Sequence, residues 1–223
     1  MSRVLVVAPH ADDESLGCGG TLLKHLASGD ELHWLLVTGM SSETGFSQEN
    51  ITIRSEEIRQ VGERYSFSSI TELMFPPARL SEIPESDLIR RISQAVLDTR
   101  PELVYTAYRN DAHSDHEAVF DAVMASTKSF RYPFIRRVLA YETISETDFG
   151  LKPEDGGFKP NVYINIEDFL KEKLDILDLF KSEMGQFPFP RSREALEALS
   201  KVRGVQCGCR AAEAFMLIKE INK

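Results

Sequence analysis

Apolar positions along this chain fall into two alternating patterns. Val4 to Ala8 is a fully apolar run that stops at Pro9, and Leu32 to Thr38 (Leu-His-Trp-Leu-Leu-Val-Thr) is a second. Continuous runs of this kind read as strands buried on both faces, as in a parallel sheet. Leu16 to Ala27 between them is the crossover helix. Asn50 or Thr52 is expected to cap a helix running to about Arg64, with Ile53, Ile58 and Val61 on one side. Leu73-Met74-Phe75 marks a short strand before the Pro76-Pro77 turn. Pro84 opens a helix with Leu88, Ile89, Ile92, Ala95 and Val96 at helical spacing. Leu103 to Thr106 is a strand and Ala118 to Ser126 a helix. Arg137 to Tyr141 and Val162 to Ile166 are further strands, followed by a helix striped by Leu170, Leu174, Leu177 and Phe180. Gly150 to Pro160 reads as a loop, and Gly185 to Pro190 as another before a final helical segment. This βα alternation predicts an α/β fold: a single Rossmann-like, doubly wound, mainly parallel sheet with helices on both faces. Residues 1–223 are expected to form one domain.

Polar residues concentrate where two of these strands end. Pro9-His10-Ala11-Asp12-Asp13-Glu14 follows the first strand, and Asn110-Asp111-Ala112-His113-Ser114-Asp115-His116 follows the strand ending near Thr106. Ligands of open α/β sheets bind at the carboxyl ends of strands, so parallel strands would bring both clusters to one edge. Three of the five histidines lie in these segments. His25 and His33 fall elsewhere and are expected to be structural. Catalytic zinc takes about three His or carboxylate ligands and leaves a position for water. Two histidines and one aspartate from separate loops meet that need. A neighbouring Asp can accept the water's proton if one side chain faces the metal and the next faces the water. The competing reading is a set of N-capping carboxylates and a solvated His loop. Gly17-Cys18-Gly19-Gly20 lacks the dinucleotide spacing and reads as close helix–sheet packing.

Taken together, these motifs resemble the PIG-L/LmbE-like de-N-acetylase family. Pro9-His10-Ala11-Asp12-Asp13-Glu14 matches P-H-x-D-D-E, and His113-Ser114-Asp115-His116 matches H-x-D-H. Arg54-Ser55-Glu56-Glu57, Tyr141-Glu142-Thr143, Phe158 to Tyr163, Arg203-Gly204 and Ala212 to Phe215 extend the resemblance over nearly the whole chain. It implies a metal-dependent hydrolase that removes acetyl from an N-acetylated amino sugar, releasing acetate and a free amine. By position, His10, Asp13 and His116 would hold the metal, with zinc expected and ferrous iron suited to the same donors. Asp12 would be the general base, a protonated His113 would hold the oxyanion or act as acid, and Asp115 would orient an imidazole. Arg54 would contact substrate. Ser114 stands where a proline is common, and Asp111 stands where some members place a tyrosine. Two other functions fit the same residues: hydrolysis of another N-acyl or carbamoyl amide, and a metal- or sugar-binding module without turnover.

Composition narrows the partners. Formal net charge is -9, with no basic surplus to neutralise phosphates, so nucleic acid is excluded as a general partner. No apolar stretch reaches the ~18 residues of a spanning helix, and Met1-Ser2-Arg3 leads straight into a strand. A cytoplasmic protein without integral membrane association is expected, acting on a small, soluble or nucleotide-linked N-acetyl amino-sugar conjugate. Cys18, Cys207 and Cys209 fit a reducing compartment and are expected to be buried thiols. Arg191, Arg193, Lys201, Arg203 and Arg210 crowd the C-terminal segment, read as a solvated face with phosphate binding as the alternative. Phe187 and Phe189 are candidates for a lid or for a homo-oligomer interface.

Overall fold

Alternation within each strand sorts side chains onto two faces of a sheet. In β1 (Arg3–Ala8), Val4, Val6 and Ala8 enter one apolar cluster, and Leu5 and Val7 enter another on the opposite face. β2 (Glu31–Thr38) divides likewise, Leu32, Trp34 and Leu36 against Leu35 and Val37. Helices cover both clusters in this computed structural model, which describes residues 1–150 and 157–222. α1 (Asp13–Ala27), α2 (Gln48–Tyr65), α5 (Leu170–Leu177) and α6 (Arg193–Cys207) pack on the first face. α3 (Glu85–Thr99) and α4 (Ser114–Ala125) pack on the second. The fold is therefore the expected doubly wound α/β sheet.

The remaining strands are β3 (Ser69–Phe75), β4 (Leu103–Ala107), β5 (Arg137–Tyr141), β6 (Val162–Asn165) and β7 (Ala212–Glu220). Their spatial order is β3-β2-β1-β4-β5-β7-β6. The chain winds outward from β1 through β2 to β3, then returns to place β4 on the other side of β1. β1 and β4 pair in parallel, Val4 opposite Leu103 and Val6 opposite Tyr105, so both strands end at one edge, where the winding reverses. That is the place where α/β sheets open a crevice.

Several boundaries differ from the pattern-based expectation. α2 begins earlier, because the Ser47 hydroxyl accepts the Asn50 N–H at 3.1 Å. Ile53 points to solvent, while Arg54 and Glu57 turn inward. α4 begins at Ser114, so Asp115 and His116 are helical and buried. β7, antiparallel to both β5 and β6, has no clear signal in the apolar pattern. Its buried half contains Glu213, and its outer half, Met216 to Glu220, is half-buried to exposed and ends in Lys219 and Glu220.

Glu213 also explains the glycine-rich stretch. A Cβ on Gly17 would sit 2.2 Å from the Tyr141 ring, and one on Gly20 2.8 Å from Ile166, so α1 can approach the sheet only because these residues are glycine. The helix breaks at Cys18 (φ −140°, ψ 19°). The Glu213 carboxylate accepts the freed Gly20 and Thr21 N–H groups at 2.8 and 2.7 Å. Lys173 donates to Glu213 at 2.7 Å and to the Leu16 carbonyl at 2.8 Å. An internal helix break is thus capped by a buried ion pair.

His25 and His33 are structural, as expected: His25 lies between Asp30 and Tyr105, and His33 contacts Ser69. Cys18 is buried, but Cys207 is exposed and Cys209 half-buried, because they flank the Gly208 turn that ends α6. Positions 151–156 of the expected Gly150 to Pro160 loop lie outside the described residues. Among the described residues, no helix is long and apolar enough to cross a membrane.

Candidate active site

β1 and β4 deliver the two polar clusters to one point. Asp13 opens α1, and His113 caps α4 by accepting the Asp115 N–H on Nδ1 at 3.1 Å. Asp13 Oδ2 is 3.3 Å from His10 Nδ1 and 3.4 Å from His116 Nε2. Each imidazole is held at its other nitrogen by a carboxylate. His10 Nε2 meets Asp115 Oδ2 at 3.0 Å, and His116 Nδ1 meets Asp111 Oδ2 at 2.7 Å. A carboxylate on the distal nitrogen is the usual device for aiming a metal-binding imidazole.

Among the described residues, two groups of donor atoms are close enough to share a cation, His10–Asp13–His116 and His10–His113–Asp115. Their present bonding distinguishes them. His113 Nδ1 is occupied by a backbone N–H, and Asp115 already accepts from Ala78 and Leu80 N–H at 2.6 and 3.1 Å. His116 Nε2, by contrast, is buried without a hydrogen-bond partner. An orphaned ring nitrogen beside a carboxylate and a second imidazole suits a divalent cation better than it suits a closed hydrogen-bond network.

Burial alone would depress both imidazoles, yet the Asp13, Asp111 and Asp115 carboxylates outweigh it, raising His10 to about 9 and His116 to about 10. Burial would raise Asp13, but the two imidazoles hold it well below the usual range. The cluster therefore concentrates positive charge around one carboxylate. His113 behaves oppositely. Burial and the neighbouring His10 charge push it down to about 4, the opposite direction from the protonated His113 that the resemblance implies. With Nδ1 already accepting, neutral His113 carries its proton on Nε2.

Asp12 faces away from its neighbour. Its backbone stands at φ 151°, ψ −25°, a strained conformation for a residue with a side chain, costing on the order of 1–3 kcal/mol. Its Oδ2 accepts from Arg191 Nη1 at 2.8 Å. Burial and the Asp13 charge raise Asp12 to about 7, against the opposing pull of Arg191. Glu14 lies beneath, accepting the Asp12 N–H at 3.2 Å and the Ser15 hydroxyl at 2.6 Å.

Two residues of this site were not assigned a role from the sequence. Asp111, noted there only as a departure from a tyrosine, is the carboxylate that holds His116. Arg191, assigned to a solvated face, is instead mostly buried. It donates to Asp12, Glu183 and the Ser145 hydroxyl at 2.8, 2.9 and 2.9 Å. No local pattern announces a contact between positions 179 residues apart. Arg203 is likewise drawn inward, paired with Glu142. Arg54 does line the cavity, but its donors are engaged: the Ala11 carbonyl at 2.7 Å, Ser182 at 3.0 Å, and the Glu183 and Glu57 carboxylates.

The cavity above the site has a volume of about 300 Å³ and opens past His10, Asp12, His113 and Arg191 toward α2 and β3. The PIG-L family model, described as GlcNAc-PI de-N-acetylase, matches residues 5–127, which contain both clusters. The "uncharacterized deacetylase YaiS" of Escherichia coli is 27% identical over 80% of this chain and 90% of its own length. The diacetylchitobiose deacetylase of Thermococcus kodakarensis is 25% identical over 99% of this chain and 85% of its own. Among solved structures, the conserved protein TT1542 of Thermus thermophilus matches with a TM-score of 0.78 at 26% identity, covering 100% of this chain and 97% of that one.

Proposed function

From the premise that the chain belongs to the PIG-L family, we propose that it is a divalent-metal hydrolase removing acetyl from an N-acetylated amino sugar. The observation that carries this reading is the buried, unpartnered His116 Nε2 facing Asp13, with Asp12 turned the other way into the cavity. His10, Asp13 and His116 would hold the cation, zinc by preference and ferrous iron as the alternative. Bound there, it would supply Lewis acidity toward water and the acetyl carbonyl. Deacetylases are what both curated relatives are named.

The protein's own groups have distinct tasks. Asp12, raised to about 7, accepts a proton from the attacking water near neutral pH, where a general base is most effective. His113 donates its Nε2–H to the oxyanion that develops on the acetyl oxygen. The C–N bond then breaks as Asp12 returns to nitrogen the proton it took from the water. Acetate and a free amine leave. Arg191 holds the Asp12 carboxylate in place, and Asp111 and Asp115 orient the imidazoles.

The test is acetate release from N-acetylglucosamine conjugates by the purified protein with added zinc or ferrous iron. Metal-dependent release supports the reading. Stoichiometric metal binding without release from any N-acetyl sugar would instead make the chain a binding module.

A further inference from the structure

Beyond the catalytic groups, the cavity runs outward between the segment following β2, α2 and the end of β3. Its far wall is apolar, formed by Met40, Phe46, Ile51, Ile58 and Met74. Two guanidinium groups reach the cavity, yet both are turned toward the protein. Arg54 is bound by Ala11, Ser182, Glu57 and Glu183, and Arg191 by Asp12, Glu183 and Ser145. Among the described residues lining this outer part of the cavity, a phosphate or carboxylate on the substrate would find no uncommitted Lys or Arg to accept it. Among the described residues, the remaining charged group on this side is Glu72 of β3, which lines the cavity and has no side-chain partner there.

Resting on the deacetylase reading above, we infer that the group attached to the amino sugar is uncharged, lays an apolar face on the Met40–Phe46–Ile51 wall, and is selected against negative charge by Glu72. Flexible methionines and one aromatic ring accept varied apolar shapes. An unpaired carboxylate at the same mouth repels anions, so discrimination comes from a repulsive element as well as an attractive one. Nucleotide-linked and other phosphorylated amino sugars, allowed by composition alone, are thereby disfavoured.

The experiment compares kcat/KM of the zinc-loaded enzyme on 4-nitrophenyl N-acetyl-α-glucosaminide and on N-acetylglucosamine α-1-phosphate. The neutral aryl sugar should be preferred by about tenfold or more. Glu72→Lys should narrow or reverse that ratio, and Phe46→Ala should lower it by slowing the aryl substrate more than the phosphate. Equal or better turnover of the phosphate by the unaltered enzyme, or a ratio unmoved in both variants, would overturn the inference alone. Absence of acetate release from either substrate and from N-acetylglucosamine itself would overturn the deacetylase reading, and this inference with it.

Discussion

At Asp12 the backbone takes a conformation that a side chain disfavours, and the strain turns two adjacent carboxylates in opposite directions. Asp13 meets the imidazoles of His10 and His116, whereas Asp12 meets Arg191 and the cavity. Their losses should therefore differ. Asp12→Asn keeps metal content and lowers turnover by roughly 10² to 10⁴, the scale of general acid–base catalysis. Asp13→Asn loses metal and regains activity with excess metal. Elemental analysis beside steady-state rates separates the two, and the opposite pairing of effects would exchange the assignments. Glu14 offers a pH test. Burial raises it from 4.5 to about 8, so the folded protein holds a proton that the unfolded chain releases. Stability linked to Glu14 is complete below pH 4.5 and declines as pH rises toward 8. Melting curves at successive pH values, without added metal, should show the original protein losing stability relative to Glu14→Gln across that window. Parallel curves would mean that Glu14 is ionised in the fold.

At the scale of elements, the break in α1 and its cap set where Asp13 stands. Lys173 and Glu213 are buried and bring α5, β7 and both halves of α1 to one point. Removing one partner of such a pair leaves an uncompensated charge, so Lys173→Met should cost about 3–5 kcal/mol in urea unfolding. Adding Glu213→Gln removes the uncompensated charge, keeps one of the two acceptor oxygens used by Gly20 and Thr21, and should recover part of that loss. A double variant no more stable than the single one would show that the charge is not the cause. β1, β2 and β4 were legible as strands because both their faces are buried. β7 was not, since its meaning depends on Lys173 some forty positions earlier.

For the whole molecule, the geometry puts every proposed metal donor on two segments at the winding reversal, so cation binding should hold the folded state together. At 100 times the dissociation constant, one bound ion stabilises by about 2.7 kcal/mol. Chelation should therefore lower Tm, and His116→Ala should abolish that sensitivity. Phe187 and Phe189 are both exposed, on the segment leading to Arg191. Replacing both with Ser should change KM if the segment covers the substrate, or solution mass if it joins two copies. Neither change would reject both roles.

The sequence by itself determined the sheet, the edge where chemistry collects and the two motifs that meet there, because apolar runs and their polar ends are local signals. It also supplied the family through those motifs. Tertiary structure decided what each polar residue faces. Asp111 and Arg191 gain their places only when β4, α4 and the segment before α6 converge on β1. Arg54 is engaged by groups contributed by three separate segments. The pKa of His113 is pushed down by burial and a neighbouring charge, and no residue pattern encodes burial. Contacts between distant positions depend on how the chain packs, and packing sets both the charge and the direction of each group in the site.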